Sequence, residues 1–314
     1  MSEPRRHHYL PRFYLENFVN DNGFLSVFDR EKNEYRFQQP VNTAVEKDMY
    51  RFKDVENNDR YDLENAFSRV ENDTKAIIDK LDNSQKISKE DVDVLSIFLS
   101  AQRYRVPRFF KTSAELTDKI GKMIAKMNCP SIEQAERLIN DSAESGKTIS
   151  FTPKELFDFV HNEDKYKIGV AKEGDISLMT DLIPQVADYL KSMDWSFYFA
   201  PKDSLFITSD NPFILVPDDS VDTRFRGYGL TTPGVMKVFP LSPKTLVVIS
   251  NKGHRVTARK INTKAVRHVN LHIARQCDRF IIAREKILLE RIVHLTKIDE
   301  VVSGPKIVIN GNIE

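Results

Sequence analysis

The spacing of apolar residues changes once along this chain, near Trp195, and this change constrains the fold more than any other feature. Before it, from about residue 59 to residue 193, large apolar side chains recur every three or four residues, which predicts helices. After it, short apolar runs bounded by turn residues predict strands. A helix-rich part followed by a strand-rich part predicts an α+β protein.

The predicted architecture is an amino-terminal hairpin and a helical bundle packed on a mixed, mainly antiparallel sheet in the carboxy-terminal third. The hairpin lies in residues 23–38, behind a short helix that begins at Pro11. One domain spanning residues 1–314 is expected, because 40% hydrophobic residues can form a sizeable core. The predicted helices are 60–81, 89–105, 113–126, 131–145, 153–160, 176–193, 262–276 and 285–295, and the predicted strands after the hairpin include 195–200, 205–209, 279–283 and 306–310.

Charge and composition exclude several classes of function. The 47 basic and 46 acidic side chains nearly cancel, so any contact with nucleic acid depends on local patches. No apolar run is long enough to span a membrane or to serve as a signal peptide. Cys129 and Cys277 have no metal-ligand spacing. We therefore expect a cytoplasmic protein with no membrane contact, no metal and no cofactor.

Two polar residues interrupt the apolar face of the helix predicted at 89–105. On a helical wheel, Gln102 and Arg105 fall on the same face as Phe98. Burial without a partner is costly for an amide and more so for a guanidinium, so each is expected to face an acceptor or a cavity. Glu71, beside the apolar stripe of the preceding helix, is the expected partner of Arg105. An ion pair that only fixes the packing explains the same residues.

A histidine and a polar turn form two further candidate clusters. His8 precedes the first helix, whose start can bind an anion, so His8 can serve as an acid or base. The alternative is a histidine that caps the helix or lies at the surface. Ser209, Asp210 and Asn211 follow a predicted strand, where such side chains commonly line pockets. The same residues are also typical of a tight turn.

Two basic patches are candidates for contacts with RNA or a nucleotide. The first mixes cations and aromatic residues between Arg103 and Lys111. The second is a cationic ridge on the helix predicted at 262–276, formed by Lys264, His268, His272 and Arg275. In this helix, Arg267 and His272 look like the Arg-x4-His signature of HEPN ribonucleases, although they point about 140° apart on a helical wheel.

Four segments of the chain carry a family resemblance: HHYLPRFYLENF, GFLSVFDR, EDVDVLSIFLSAQRYRVPRF and FITSDNPF. Together they resemble the bacterial family designated domain of unknown function 4238, over almost the whole chain. The recurring motifs of that family look like His-x-x-Pro, Gln-x-x-Arg and Thr-Ser-Asp-Asn-Pro. They correspond here to His8 and Pro11, Gln102 and Arg105, and residues 208–212. The resemblance implies that the three clusters meet in space, and it implies no activity.

The leading hypothesis is an enzyme whose pocket joins these clusters. Arg105 is expected to hold an anionic group, while His8 or Asp210 moves a proton. The expected substrate contacts are Glu71, Gln102, Ser209 and Asn211. The expected reaction is metal-independent hydrolysis, by a hydrolase or nuclease, of a phosphate-containing substrate such as RNA or a nucleotide, in phage defence or as a toxin. The alternative is a non-catalytic sensor or adaptor that binds a protein partner or a second copy. An open cavity favours the first hypothesis and a filled one favours the second.

Overall fold

The computed structural model describes residues 6–50, 52–53, 59–60, 62–223 and 227–299, and the strand predicted at 306–310 lies outside them. The α+β prediction is confirmed. The described residues form two compact units, the first within Met1–Pro107 and Leu178–Glu314 and the second within Arg108–Ser177. The single domain stays a prediction. No helix among the described residues is both long and apolar enough to cross a membrane.

The helices follow the predicted ones closely. They are α1 Arg12–Glu16, α2 Asp62–Asp82, α3 Lys89–Tyr104, α4 Pro107–Asn128, α5 Ile132–Glu144, α6 Pro153–His161, α7 Lys172–Lys191, α8 Thr263–Gln276 and α9 Lys286–Asp299. The largest difference is at the start of α4, which we expected at residue 113. Pro107 begins this helix, because proline has no N–H to leave unpaired in a first turn.

The strands include several that the sequence did not predict. They are β1 Arg6–His8, β2 Leu25–Asp29, β3 Glu34–Gln38, β4 Val45–Lys47, β5 Phe52–Lys53, β6 Asp59–Arg60, β7 Met193–Phe199, β8 Thr208–Ser209, β9 Ile214–Pro217, β10 Val235–Pro240, β11 Thr245–Lys252, β12 Val256–Lys260 and β13 Phe280–Ala283. The predicted hairpin is present as β2 and β3, which pair antiparallel.

Two sheets form the first unit's scaffold. One has the order β12-β7-β11-β10-β9, and it is mixed because β12 runs parallel to β7 while the other pairs are antiparallel. The other has the order β3-β2-β13-β8. The amino-terminal hairpin therefore belongs to a sheet completed by β13 and β8 from the carboxy-terminal third. Apolar residues of both sheets and of α8 and α9 form a shared core.

The amino-terminal segment is held firmly by this scaffold. Strand β1 pairs antiparallel with β4, with His8 opposite Val45. Helix α1 buries Tyr14 and Leu15 completely. The Tyr14 hydroxyl lies 2.6 Å from the Thr208 hydroxyl oxygen and donates a hydrogen bond to the carbonyl of Pro240 at 2.8 Å. These contacts fix the position of His8 and of the start of α1.

Candidate functional site

Arg105 lies where α3 ends. The helix begins with a capping box, in which the Ser88 side chain accepts from the Asp91 backbone and the Asp91 side chain accepts from the Ser88 backbone. It ends at Tyr104, and Arg105 is its C-cap residue. The next helix begins at Pro107, so the chain turns between the two helices. The Arg105 side chain is buried at this turn.

Arg105 connects the helical hairpin to β1. Its Nη1 donates to the Glu71 carboxylate at 2.6 Å, which is the expected ion pair, and its Nη2 donates to the His8 carbonyl at 2.6 Å. The guanidinium lies 4.5 Å from the ring centroid of Phe67. The Tyr50 hydroxyl donates to the carbonyl of Arg105. Only Nε of this guanidinium has no hydrogen-bond partner among the described residues.

His8 presents a ring nitrogen with no partner. Its Nε2 is buried and makes no hydrogen bond within the described part of the chain. Burial lowers the pKa of His8, hydrogen bonds with the backbone of Val41 and of Pro40 act in the opposite direction, and the positive charge of Arg105 lowers it further. The ring is therefore neutral at neutral pH. If the other ring nitrogen donates to Val41, Nε2 carries the lone pair and can accept a proton.

His8 and Arg105 line a small cavity of about 120 Å³. Its lining residues are His7, His8, Pro11, Arg12, Tyr50, Phe67, Ser68, Glu71 and Arg105. Arg12 lies at the mouth, with 64% of its side chain exposed, and its Nε pairs with Glu16 at 2.8 Å. A typical pocket for a whole ligand has roughly 300–1,000 Å³, so this cavity matches a small group.

Gln102 is buried but does not line this cavity. It is 0% exposed, and neither its amide nitrogen nor its amide oxygen has a hydrogen-bond partner among the described residues. The hydroxyl of Thr74, on the neighbouring helix α2, is likewise buried without a partner. Gln102 was expected to face an acceptor or a cavity. It is buried, but its amide has no acceptor among the described residues and it does not line the cavity beside His8.

Asp210 is held by the backbone before β13. Its two carboxylate oxygens accept hydrogen bonds from the N–H groups of Asp278, Arg279 and Phe280, at 2.9, 2.6 and 2.9 Å. Burial raises the pKa of Asp210 to about 6, although these three hydrogen bonds act in the opposite direction. Both oxygens already have donors, so the contacts of Asp210 account for a structural role. The catalytic role stays a prediction.

The neighbours of Asp210 close the same turn. The Asn211 side chain donates to the carbonyl of Gln276 at 3.0 Å, and the Ser209 hydroxyl accepts from the Asn211 backbone at 3.2 Å. Together, Ser209, Asp210 and Asn211 join the end of β8 to the end of α8 and the start of β13. We refer to these three residues as the Ser209–Asn211 corner.

The structure brings some predicted site residues together and not others. His8, Glu71 and Arg105 line one cavity, whereas Gln102 and the Ser209–Asn211 corner do not line it. A direct contact links the elements that carry the two groups, because the Tyr14 hydroxyl of α1 lies 2.6 Å from the hydroxyl oxygen of Thr208, which precedes the corner in β8. His7, Tyr50 and Phe67 were not predicted as site residues. Phe67 lies in the helix predicted at 60–81, where its apolar spacing indicates packing, and His7 and Tyr50 lie in segments without periodicity.

The cationic ridge predicted on α8 is wrong in one respect. Of its four residues, Lys264 is exposed and His268 and Arg275 are half-buried, but His272 is buried, and burial lowers the pKa of His272 to about 3. Arg267, outside the ridge, is exposed. Helix α8 contacts α9 on one side and β8 and β9 on others, which covers part of the expected polar face. Because Arg267 is exposed and His272 is buried, the two do not form a shared site of the HEPN type. Among the described residues, no three His, Cys, Asp or Glu side chains form a possible metal site.

One comparison with known proteins gives a match. A family model described as "Protein of unknown function (DUF4238)" matches residues 6–286, which include the cavity and the Ser209–Asn211 corner. No curated protein and no solved structure matches the chain.

Proposed function

This chain belongs to the DUF4238 family, whose description states no activity, and we propose from the geometry of its cavity that it hydrolyses a phosphate ester. One observation carries the proposal: the unpartnered Nε2 of His8 is buried beside a cavity that Arg12 and Arg105 also line. Phosphoryl transfer requires positive charge around the phosphate oxygens and a group that accepts a proton from the attacking nucleophile. This cavity has both.

Arg12 is the residue that binds the phosphate in this proposal. Its Nε pairs with Glu16, while its two terminal nitrogens have no protein partner among the described residues. A guanidinium with two such nitrogens can bind two phosphate oxygens at once. Arg105 already donates to the Glu71 carboxylate and to the His8 carbonyl, and Glu71 also lines the cavity, so the charge of Arg105 is offset there and Arg12 supplies the positive charge for the phosphate. The role first expected of Arg105, holding the anion, is thus assigned to Arg12.

His8 is the general base. Nε2 takes a proton from a water molecule as the water oxygen forms a bond to phosphorus. The bond from phosphorus to the leaving oxygen breaks, and the leaving oxygen takes a proton from the imidazolium or from solvent. Because the pKa of His8 is lower than the ordinary histidine value of 6.5, the ring stays neutral at pH values somewhat below 6.5. It can therefore act as a base at those pH values.

The cavity volume indicates which part of a substrate enters. About 120 Å³ matches a phosphoryl group, and the remainder of a nucleotide or RNA would lie outside the mouth, beside Arg12. Two more specific proposals are that the substrate is RNA and that the protein acts in phage defence or as a toxin. They are supported only by the anionic group that RNA shares with every phosphate ester.

The experiment replaces His8 with asparagine. In His8→Asn, the amide can keep the hydrogen bond to Val41, but no atom replaces Nε2. Hydrolysis is measured on a 5′-phosphorylated RNA oligonucleotide, a nucleoside monophosphate and bis(p-nitrophenyl) phosphate. The expected loss of rate is about 10²-fold to 10⁴-fold with an unchanged Tm. His294→Asn is the matched control, because His294 is exposed on α9 and does not line the cavity.

Two results separate this proposal from the non-catalytic alternative. If His8→Asn retains the wild-type rate, His8 is not the base. If the wild type hydrolyses none of the three substrates but binds inorganic phosphate in a titration, and Arg12→Gln abolishes that binding, the cavity is an anion sensor. The sensor or adaptor function then replaces hydrolysis.

A further inference from the structure

The positive charge of this chain is concentrated in strand β12 and the helix α8 that follows it. Residues 251–277 contain seven Lys and Arg side chains and no Asp or Glu. Because the whole chain has 47 basic and 46 acidic side chains, removing these seven leaves 40 basic against 46 acidic side chains elsewhere. A segment this one-sided in a balanced chain indicates a surface for an anionic partner.

Four of these cations are exposed and have no side-chain partner. Arg259 and Lys260 lie on β12, and Lys264 and Arg267 lie in the first two turns of α8. None of the four side chains makes a hydrogen bond or an ion pair within the part of the chain that the structure describes. All four belong to the first compact unit. We refer to these four residues as the β12–α8 patch.

The fold arranges the patch around one edge of a sheet. Strand β12 is the first in the order β12-β7-β11-β10-β9, so its outer side has no strand partner among the described residues. Alternation along the strand directs Arg259 and Lys260 to opposite faces, and these two side chains therefore flank the outward N–H groups of β12. The backbone N–H of Ile261 donates to the Phe199 carbonyl at 3.0 Å, which holds the start of α8 at the same edge. The two cations of α8 are three residues apart and lie on one side of the helix.

We propose that the β12–α8 patch binds the phosphate backbone of a nucleic acid. Arginine and lysine side chains and main-chain N–H groups are common donors to phosphate oxygens, and the patch presents all three. The guanidinium groups of Arg259 and Arg267 can each bind two phosphate oxygens. The patch does not line the cavity beside His8, so this binding does not depend on the proposed hydrolysis.

The residues between the cations distinguish a nucleic acid from a membrane or an acidic protein. A surface that binds an anionic membrane also inserts large apolar side chains, and a protein interface has apolar or aromatic anchors and little lysine. From residue 256 to residue 267, the exposed side chains other than the four cations are Val256, Ala258, Asn262 and Thr263. None of these is a large anchor. A phosphate backbone requires only positive charge and hydrogen-bond donors.

Fluorescence anisotropy of a labelled single-stranded RNA and a labelled DNA duplex tests the binding. Backbone binding of this kind has a Kd of about 10⁻⁴ to 10⁻⁶ M at physiological salt. Four phosphate contacts give a slope of log K against log salt concentration of about −3.6 for duplex DNA and about −2.8 for single-stranded RNA. The ratio of the two affinities identifies the preferred nucleic acid. His8→Asn should bind as tightly as the wild type, because His8 lies outside the patch.

Charge removal tests the patch itself. Lys264→Gln should weaken the binding of duplex DNA about fivefold at about 0.15 M salt and reduce the steepness of the slope by about 0.9. A variant in which all four cations are replaced by Gln should lose measurable binding with an unchanged Tm, because the four side chains are exposed. Lys75→Gln is the matched control, since Lys75 is exposed on α2 and its replacement removes the same charge.

Several results would overturn the proposal. One is a wild type that binds neither nucleic acid at about 10⁻⁴ M protein and low salt. Another is a fourfold variant that still binds, or a Lys75→Gln variant that is weakened as much as Lys264→Gln. If the fourfold variant does not fold, the single variant and its control still decide. Poly-L-glutamate or phosphatidylserine vesicles that displace the nucleic acid at equal charge concentration would show that the patch attracts any anion, and would also overturn it.

Discussion

The cavity beside His8 and the Ser209–Asn211 corner arise from the same kind of sequence signal, yet they differ in what remains unpaired. In the corner, three main-chain N–H groups occupy both oxygens of Asp210, the residue that can titrate. The buried corner atom without a partner among the described residues is the amide oxygen Oδ1 of Asn211, which cannot transfer a proton. In the cavity, Nε2 of His8 and Nε of Arg105 have no partner among the described residues. A polar residue on an apolar face therefore predicts that the side chain is buried. Whether the buried side chain can take part in a reaction depends on whether its titratable atoms still lack hydrogen-bond partners.

The largest expected effect comes from breaking the buried pair. Arg105→Ala should lower the free energy of unfolding by about 3–5 kcal/mol, because it removes the partner of Glu71 and the donor to the His8 carbonyl. Urea denaturation measures this change. Arg12→Ala is the control, since Arg12 lines the same cavity but is mostly exposed, and it should leave the free energy of unfolding nearly unchanged. Equal effects of the two variants would mean that Arg105 does not anchor β1.

Asp210→Asn should destabilise the protein by about 1–3 kcal/mol, because its amide nitrogen would face backbone N–H groups that need an acceptor. If the protein hydrolyses phosphate esters, the rate of the folded variant should equal that of the wild type. The comparison thus predicts a change in stability alone for the corner and a change in activity for His8→Asn. A folded Asp210→Asn protein that has lost its activity would place Asp210 in the reaction and remove the distinction.

The pH dependence of stability provides a smaller test of the same carboxylate. The pKa of Asp210 is about 6 in the folded protein and about 3.8 when unfolded, so between these values the folded state holds more protons. Asp210 should therefore make the free energy of unfolding fall as pH rises from about 4 to 6, by at most about 1.4 kcal/mol per pH unit, and then level off. The difference between wild type and Asp210→Asn over this range isolates the effect. A difference that does not vary with pH would show that the carboxylate is ionised throughout.

Local rules were sufficient to predict the helices. The period of α2 and α3, and the Ser88 and Asp91 pair, determine structure within a few residues, so sequence spacing carries the information. The pair of Glu71 with Arg105 could be predicted for a similar reason, since Arg105 lies on the apolar face of its helix and Glu71 lies beside that of the preceding helix. These parts of the candidate site depend only on neighbouring elements.

The parts that could not be predicted depend on distant pairing. The β1 strand has only three residues, and it forms because β4 lies beside it. Strand β12 is mostly exposed and polar, so it has no apolar alternation to reveal it. The separate cavity could not be predicted either, because Tyr50 reaches Arg105 from a segment without periodicity. In each case the partner, rather than the local sequence, determines the structure.

Gln102 belongs to neither group, and it tests the premise that a polar residue on an apolar face requires a partner. Because its amide makes no hydrogen bond with the described residues, Gln102→Leu removes no bond and leaves no partner unpaired. The free energy of unfolding should stay the same or rise by up to about 1 kcal/mol. The control is Gln276→Leu, which loses a hydrogen bond to the Leu215 carbonyl and should be destabilising. If Gln102→Leu instead lowered the free energy of unfolding by more than about 2 kcal/mol, the amide would be bound to buried water. A second buried polar site would then lie on α3, apart from the cavity.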